Sequence, residues 1–500
     1  MSHKKKIAII GAGVSGICSF NYLVKNTDIP DLNLHITLYD RSAMVGPGVP
    51  YQNDHDVLLL NRQSKQMSVY SEIPDDFWNW YKKKTEVHFP SDEFLPRRFF
   101  GQYLKESFES SVKLAKEKKI YVDIKFDEVS NIIKKPNEKY SVISAMDENE
   151  YDYVILCLGH TKFADYYNLK ENERFIYTPY PLEQSLSSIK NDSSIGILGS
   201  SLTAVDICLV LQEAGHKGKI HMLSRSGTLP AVRGEIQPFK LKFLTEESLQ
   251  KILANKKEIQ LKEIINMLNK ECKEVGLNLK NMLLRGKNKL TPVQSIKHDM
   301  ANLNDLGLWQ SILVATNEVI EKYWYYLKEE DKVTYLKKYE RLFMSKRNPM
   351  PINNAQKILE LLNDDLLDIK RGVGKIQFYN EKFHVDFKND DQEEYDWIVN
   401  AVGSTKHLSE PYRDNLLNNL IDSGEVKINK YGGLEVDFNS GSIIDITGKI
   451  NERLKALGHI TCGTYYFTSS VEMISKHAKI ISQDLIKQIN KDINNTLVCI

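Results

Sequence analysis

The sequence Lys6-Ile-Ala-Ile-Ile-Gly-Ala-Gly-Val-Ser-Gly16 lies near the start of the chain and decides the fold. Its apolar run predicts a buried strand over residues 6–10, and the glycine-rich turn predicts a helix that extends to about Val24. A second predicted strand, His35 to Tyr39, ends at the carboxylate of Asp40. Strand, GxGxxG turn, helix, strand and acidic residue together predict a dinucleotide-binding fold, and they do so far more specifically than the glycine motif alone.

Each glycine of this turn has its own physical task. Gly11 permits the tight turn, Gly13 lets the backbone approach a pyrophosphate, and Gly16 lets the helix pack closely on the strand. The N-terminus of the helix, which contains Ser15, supplies N–H groups and a positive dipole end for phosphates. Asp40 is placed to accept both ribose hydroxyls of an adenosine. The first 30 to 40 residues therefore predict an FAD site, and a glycine-rich turn without a ligand is the alternative.

The same order of elements recurs near residue 200. A predicted strand from Ser194 to Leu198 precedes Gly199-Ser-Ser-Leu-Thr-Ala204, a helix to about Glu213 and a strand from Ile220 to Leu223. Ser201 stands where the middle glycine normally lies, so this match is weaker by itself, although its hydroxyl can donate to a phosphate. The chain thus contains two predicted dinucleotide folds.

The residues after the second strand of this repeat indicate which nucleotide binds there. Ser224-Arg225-Ser226 occupy the place where a carboxylate is expected in an NADH-binding fold. A carboxylate would repel a 2′-phosphate, whereas the guanidinium of Arg225 can bind it. The sequence favours NADPH over NADH, with a solvated surface arginine as the alternative.

A further internal repeat and a helical segment complete the organisation. Residues 151–159 and 395–403 share a Tyr-Asp pair, a β-rich apolar run, a small residue, one spacer and a glycine. We expect both to be strands that carry the chain between the nucleotide domains, each glycine letting backbone pass close to a cofactor. Residues 240–345 are rich in Lys and Glu with helical periodicity, which predicts a helical insertion acting as a solvated cap or dimer face, with a dedicated binding surface as the less favoured alternative.

The predicted fold class is α/β, with two interleaved Rossmann-like dinucleotide-binding domains and that insertion. Residues 1–165 and 370–500 form the predicted FAD domain, and residues 166–369 form the predicted NADPH domain. The length of 500 residues is sufficient for two or three cored domains.

Composition restricts the possible partners. The 67 basic and 66 acidic residues nearly cancel, so no overall field attracts nucleic acid or an anionic membrane.

Residues 7–10 are too short an apolar run for a signal core, and we expect a cytoplasmic protein. The six cysteines form no CxxC pair and the twelve histidines form no HxxxH or HxH pair. This argues against zinc, other metal sites, disulfide frameworks and a redox dithiol.

Further motifs resemble those of FAD/NAD(P)-binding proteins related to class B flavin monooxygenases. The resemblance is to a bacterial group with amino-acid N-hydroxylating relatives such as aspartate N-monooxygenases, and it covers most of the chain. It includes Gly46-Pro-Gly-Val-Pro-Tyr51, Leu60-Asn61, Met67-Ser68, Pro96 to Leu104, Gly199 to Asp206, Ser224-Arg225, Arg347 with Pro349 and Pro351, and Gly458 to Gly463.

The resemblance implies that residues 46–67 line the flavin and that residues 98–103 help to enclose it. It also implies that Asn61 lies beside the flavin, where its amide hydrogen-bonds the reactive edge or a peroxide. From the residues alone, Tyr103 suits a core aromatic and Asn61 suits a turn after an apolar strand. The Baeyer-Villiger fingerprint FxGxxxHxxxW is missing because Lys105 occupies the histidine position, which disfavours ketone oxygenation.

Taken together, the motifs and the resemblance give a set of candidate site residues. Asn61 is the candidate catalytic residue. The residues expected to contact FAD or NADPH are Gly11, Gly13, Ser15, Gly16, Asp40, Arg41, Gly48, Asn61, Met67, Tyr103, Val129, Gly159, Gly199, Ser200, Ser201, Thr203, Ala204, Ser224, Arg225, Gly403 and Gly463.

The expected activity is that of a monooxygenase. NADPH reduces FAD, O2 adds to the reduced flavin as a peroxide, and a small-molecule substrate, an amine or amino acid, takes the distal oxygen on nitrogen. Two alternatives stay open: an NADPH-dependent reductase for a quinone or protein acceptor, and a non-catalytic redox-sensing flavoprotein. A homodimer is compatible with the helical insertion.

Overall fold

The chain forms two compact units. The computed structural model describes residues 3–29, 32–85, 94–160, 162–284, 290–409 and 413–498. The first unit consists of Met1–Asn53, Arg62–Lys162 and Ser404–Ile500, and the second consists of Asp54–Asn61 and Phe163–Gly403. The chain therefore passes between the units four times.

The elements follow one another along the chain in three stretches. The first stretch contains β1 (His3–Ile10), α1 (Val14–Asn26), β2 (Leu32–Tyr39), a 3-10 turn (Ser64–Gln66), α2 (Asp76–Lys84), α3 (Arg97–Glu117), β3 (Tyr121–Lys125), β4 (Val129–Lys134), β5 (Tyr140–Ser144), β6 (Glu148–Tyr151) and β7 (Tyr153–Leu156). The second contains β8 (Phe175–Ile176), α4 (Leu182–Ser185), β9 (Ile195–Leu198), α5 (Leu202–Glu213), β10 (Ile220–Ser224), α6 (Glu246–Leu253), α7 (Leu261–Glu274), α8 (Leu279–Leu284), α9 (Pro292–Met300), α10 (Leu303–Ala315), α11 (Ile320–Tyr325), α12 (Glu329–Lys338), α13 (Glu340–Arg347), α14 (Ile352–Asn363), β11 (Leu367–Arg371), β12 (Val373–Tyr379), β13 (Lys382–Phe387), β14 (Gln392–Tyr395) and β15 (Trp397–Asn400). The third contains α15 (Asn415–Asp422), β16 (Ser442–Ile444), β17 (Ile450–Ala456), α16 (Cys462–Tyr465) and α17 (Val471–Val498).

The first unit is built on a six-stranded sheet. Its order is β16-β17-β7-β1-β2-β3, and every pairing is parallel except that of β16 with β17. The central strand β1 is buried from Ile7 to Ile10, as its unbroken apolar run requires in a parallel sheet covered on both faces. Helix α1 packs against α3 and α17.

The second unit repeats this plan. Its five-stranded parallel sheet has the order β11-β10-β9-β15-β8, so β15-β9-β10-β11 corresponds to β7-β1-β2-β3 of the first unit. The buried core beneath it includes Ile195, Ile197, Val205 and Met222. The predicted α/β fold with two dinucleotide-type parallel sheets is confirmed.

The internal repeat is one structural arrangement used twice. In each unit a three-stranded antiparallel sheet, β4-β5-β6 or β12-β13-β14, leads directly into the strand next to the central one. Asp152 Oδ2 accepts a hydrogen bond of 2.8 Å from the backbone N–H of Lys6. Asp396 Oδ2 accepts a matching bond of 2.8 Å from Ser194. Each carboxylate therefore fixes the start of the buried run of a central strand against the neighbouring strand.

The division into units differs from the predicted boundaries at two places. Residues 370–403 belong to the second unit because β11 pairs with β10 and β15 pairs with β9. Residues 54–61 also belong there, since the Asp54 carboxylate accepts N–H bonds from Leu182 and Glu183 at 2.7 and 3.0 Å. Neither these strand pairings nor the hydrogen bonds of Asp54 can be predicted from local sequence.

Helices α6 to α13 occupy the region of the predicted helical insertion. Glu271, on α7, is fully buried, and its Oε1 accepts backbone N–H bonds from Lys242, Phe243 and Leu244 at 2.9, 2.6 and 2.9 Å. Arg347, at the end of α13, is also buried and donates to the carbonyl of Leu313 at 2.6 Å. Buried charged groups thus hold the insertion together.

Two kinds of feature are missing from the described residues. Within those residues no helix combines the length and apolar character needed to cross a membrane. The same part of the chain contains no group of three or more His, Cys, Asp or Glu side chains placed to hold a metal ion.

Replacing Glu271 by alanine should destabilise the second unit. Three backbone N–H donors, that of the buried Leu244 among them, would lose their acceptor, so we expect the free energy of unfolding to fall by about 3 kcal/mol. Urea unfolding followed by tryptophan fluorescence measures this. Glu274→Ala on the same helix is the control, because its exposed ion pair with Lys242 contributes less than about 1 kcal/mol. Equal losses in the two variants would contradict the proposed anchoring role of Glu271.

Candidate nucleotide-binding sites

The first glycine turn is held in place by close backbone packing. Gly11 has φ +103°, and a Cβ on it would lie 2.2 Å from the carbonyl oxygen of Cys157. A Cβ on Gly16 would lie 2.0 Å from the carbonyl oxygen of Gly11. Any side chain at either position would therefore collide with backbone, as the sequence analysis expects for the first and third glycines of the motif.

Gly13 has a different role, because it borders open space. Its φ is −77°, and an added Cβ would meet only the Cα of Gly48, at an ordinary contact distance of 3.7 Å. The loop containing Gly48 is held against the turn by a 2.9 Å hydrogen bond from Gly46 N–H to the Ala12 carbonyl. No side chain caps the N-terminus of α1. The turn, the loop and the uncapped N–H groups form a cradle that fits a pyrophosphate.

Asp40 follows β2 and is fixed by local hydrogen bonds. Its Oδ2 accepts from Ala12 N–H at 2.7 Å, and its Oδ1 accepts from the N–H and hydroxyl of Ser42 at 2.8 and 2.7 Å. Oδ2 accepts one bond and retains acceptor capacity for a ribose hydroxyl, whereas the two bonds from Ser42 occupy Oδ1. The neighbouring Arg41 is exposed and lies 3.9 Å from Glu128, which is a weak surface ion pair.

His459 is a residue of this site that the sequence analysis did not single out. It follows Gly458, whose added Cβ would lie 2.5 Å from Ser15 Oγ, and its ring lies 4.5 Å from that of His160. Both ring nitrogens are buried and have no hydrogen-bond partner among the described residues. Burial, with smaller effects of His160 and Lys406, lowers the pKa of His459 to about 3, so the imidazole is neutral.

Buried polar atoms in proteins are nearly always hydrogen-bonded. The ring of His459 and the glycine cradle therefore both fit a bound group with hydrogen-bonding atoms, as FAD has. Gly458 belongs to the stretch that carries the family resemblance. The position of His459 directly after a strand and a glycine was the available signal.

Several other predicted FAD contacts lie within protein packing. Tyr103 is buried, and its hydroxyl donates to Asp76 at 2.6 Å and accepts from Val69 N–H at 3.2 Å. This is the core environment that the residue type alone suggests. The remaining positions are these: Met67 is buried after the 3-10 turn, Val129 is buried in the core at the start of β4, and Gly463 packs against Asn429 and Gly432.

The second glycine motif repeats the geometry of the first. Gly199 has φ +121°, and its Cβ would lie 2.8 Å from the carbonyl oxygen of Ala401. Ser201 is the N-cap residue of α5 and makes no side-chain cap bond, so N–H groups of the first turn, which includes Thr203 and Ala204, are available to phosphate. Ser200 is buried, and its hydroxyl donates to the Thr228 carbonyl at 2.8 Å.

The repeated glycines after β7 and β15 share one conformation. Gly159 and Gly403 have φ of +67° and +78°, and a Cβ on either would meet nothing within 4 Å. Backbone at these points therefore borders open space, which is what the sequence analysis expects of a glycine beside a cofactor. Their roles stay predictions.

Arg225 begins the loop after β10. The hydroxyl of Ser224 accepts a 2.9 Å bond from Gly227 N–H, which makes the loop tight. The side chain of Arg225 is exposed and makes no hydrogen bond or ion pair with any described residue. A free cation at the carboxyl end of this strand fits a nucleotide that carries a 2′-phosphate.

Asn61, the candidate catalytic residue, lies in the segment that belongs to the second unit. The guanidinium of the buried Arg233 donates to its backbone carbonyl. Arg233 is itself fixed by a 2.8 Å bond from its N–H to the Met350 carbonyl. The backbone of Asn61 is thus anchored, and its side chain is half-buried.

The five cysteines in the described residues are free and buried. Burial raises the pKa of Cys157 and Cys272 to about 12, and raises that of Cys18 and Cys208 further. These groups are therefore thiols at neutral pH and are poor nucleophiles. Cys499, the sixth, lies outside the described residues.

Comparison with known proteins places these sites in context. Residues 8–161, which contain the first glycine motif, match the model of a family described as FAD-NAD(P)-binding. The whole chain has the α/β fold of flavoenzymes with two dinucleotide-binding domains. An ornithine N-hydroxylase from Kutzneria sp. 744, solved with reduced FAD, NADP+ and L-ornithine, matches 97% of this chain and 99% of its own with a TM-score of 0.59 and 11% identity.

Other relatives share the fold or part of the sequence. Bacillithiol disulfide reductase from Staphylococcus aureus covers 97% of this chain and 99% of its own, with a TM-score of 0.51 and 14% identity. The protein YdhS of Escherichia coli K12, described as uncharacterized, is 21% identical over 460 residues, which are 80% of this chain and 83% of YdhS. At these identities the structural matches show the fold and leave the reaction open.

Substitution of Gly13 tests the cradle without breaking the turn. Its backbone conformation is allowed for every residue and no backbone atom obstructs a Cβ, so Gly13→Leu should fold yet fill the space for a pyrophosphate. We expect purified wild-type protein to be yellow and Gly13→Leu to be nearly colourless with an unchanged far-UV spectrum. Gly13→Ala should retain part of the flavin. Full FAD occupancy in Gly13→Leu would contradict the assignment of this turn to the pyrophosphate of FAD.

Proposed function

We propose that the protein is an FAD- and NADPH-dependent monooxygenase that hydroxylates the nitrogen of an amine or amino-acid substrate. The observation that carries the proposal is a nucleotide cradle beside free thiols, which are already reduced and, unlike a disulfide, cannot accept electrons from a flavin. Cys157, whose carbonyl packs on Gly11, is fully protonated at neutral pH because burial raises its pKa to about 12. Among the described cysteines none is exposed, so electrons from a flavin would pass to O2 or another small molecule.

The residues of the two units have distinct roles in this proposal. In the first unit the cradle of Gly11, Gly13 and Gly48 holds the pyrophosphate, and Asp40 binds the ribose. In the second unit the turn at Gly199 holds NADPH. FAD, when bound, supplies the hydride acceptor and the activation of O2.

Neutral side chains suit this chemistry. Because the pKa of His459 is about 3, its imidazole contributes hydrogen bonding without a charge. Asn61 is proposed as a neutral donor to the reacting oxygen, and Arg233 holds its backbone still. A neutral donor stabilises developing charge without protonating it. The proposed partners are O2 and a small amine. The cytoplasm is the proposed location.

The rival function is an NADPH-dependent reductase, since a disulfide reductase shares the fold. The buried thiols argue against dithiol exchange through this chain but leave a quinone as acceptor. A third alternative is a redox-sensing flavoprotein without turnover.

One experiment distinguishes the three candidate functions. We expect NADPH oxidation to consume an equal amount of O2 and to yield a hydroxylated product when the right amine is present in a panel of diamines and amino acids. Mass spectrometry of the product and an oxygen electrode provide the two measurements. Rapid quinone reduction without any hydroxylated amine would establish the reductase. Absence of NADPH turnover with both amines and quinones would favour the redox-sensing flavoprotein.

Asn61→Ala should uncouple the reaction while leaving flavin reduction nearly unchanged. Because the pocket would lose a donor, we expect more H2O2 per NADPH and less product, with a loss in product formation of about tenfold or more. Asn255→Ala is the matched control, because Asn255 is exposed in the turn after α6. A product yield in Asn61→Ala equal to that of the control would remove Asn61 from the mechanism.

A further inference from the structure

Three arginines lie in or beside the loop formed by residues 224–228 of the second unit. Arg225 is part of the loop. Arg371 ends β11 directly beside Ser224 in the parallel register, and its Cβ lies 3.1 Å from where a Cβ on Gly227 would be. Arg341, on α13, reaches the loop from the helical insertion, with Nη2 3.4 Å from the hydroxyl of Thr228. Elements far apart in sequence thus bring three arginines to one loop.

None of these three arginines has an acidic partner among the described residues. The neighbouring Lys370 shows the contrast, because it pairs with Asp368 at 3.1 Å and with Glu393 at 3.2 Å. Burial, and then the charge of Arg225, lower the pKa of Arg341. Like charges held together without a counter-charge are destabilising unless an anion joins them. The three arginines are exposed, so they concentrate positive charge at the surface of this loop and would favour an anionic ligand there.

The same loop is linked to the second glycine motif. Ser226 and Thr228 are joined through their hydroxyls at 2.7 Å, and the Thr228 carbonyl accepts from Ser200 at 2.8 Å. Ser200 directly follows Gly199 in the phosphate-binding turn. The arginines consequently border the carboxyl end of β10, where the adenosine ribose of a dinucleotide lies in this fold.

We infer that Arg341 is the second cation of a 2′-phosphate site that Arg225 begins, and that Arg371 closes its edge. This inference rests on the proposed binding of NADPH by the second unit. It assigns the helical insertion a role in nucleotide selection, because the insertion supplies Arg341, one of the two arginines whose guanidinium groups would bind the phosphate. The hydroxyls of Ser226 and Thr228 add neutral donors to the same site.

Calorimetric binding to FAD-saturated protein tests the inference without turnover. The probes are adenosine 2′,5′-bisphosphate and 5′-AMP, which differ only in the 2′-phosphate. We expect Arg341→Ala to weaken binding of the bisphosphate about tenfold or more and to leave 5′-AMP unchanged, since a charge-assisted contact is removed. Arg341→Lys should lie between wild type and alanine because the fork geometry is lost while the charge remains.

Lys337→Ala on α12 is the control, since it removes one exposed positive charge from the same insertion. It should leave the ratio of the two affinities unchanged. An equal loss for both probes in Arg341→Ala, or no loss for either, would overturn the role of Arg341. If wild type itself binds the two probes equally, the NADPH assignment fails before Arg341 is considered, and the inference fails with it.

Discussion

The structure depends on the contact between each glycine turn and the carbonyl that follows the neighbouring strand. In the first unit this contact is Gly11 against Cys157, and in the second it is Gly199 against Ala401. Only a residue without a side chain allows the backbones to approach so closely. The contact sets the turn at the carboxyl end of the central strand, so the N-terminus of the next helix faces the place where a phosphate binds.

A second constraint acts at the opposite end of the same strands. Asp152 and Asp396 accept from the N–H groups of Lys6 and Ser194, just before the buried runs of β1 and β9, and both aspartates lie in the repeated Tyr-Asp sequence. Each central strand is therefore fixed at both ends by its neighbour. The two units have one architecture, and the residues after their second strands differ in charge. We propose that Asp40 in one unit favours a ribose with free hydroxyls and that Arg225 in the other favours a phosphorylated one.

Much of this follows from sequence because the relevant signals are local. The order of strand, glycine turn, helix and strand around Gly11 is contained in one short segment, and the repeat at Gly199 could be found by comparison with it. Features that depend on distant pairing could not be predicted. The structure groups residues 370–403 with the second unit and not the first, because β15 pairs with β9, about 200 positions away. Local sequence marks His459 by its place after a strand and a glycine, but it does not show that both ring nitrogens are buried without partners, or that Arg341 lies against the loop of Arg225.

The central claim is that one chain holds a flavin in its first unit and a 2′-phosphorylated nicotinamide nucleotide in its second. Anaerobic mixing of the purified flavoprotein with NADPH or NADH, followed by the absorbance of the flavin, tests both halves at once. The account predicts that NADPH bleaches the flavin fully and many times faster than NADH at equal concentration. Protein that contains no flavin after expression, or flavin that NADH reduces as fast as NADPH, would contradict it.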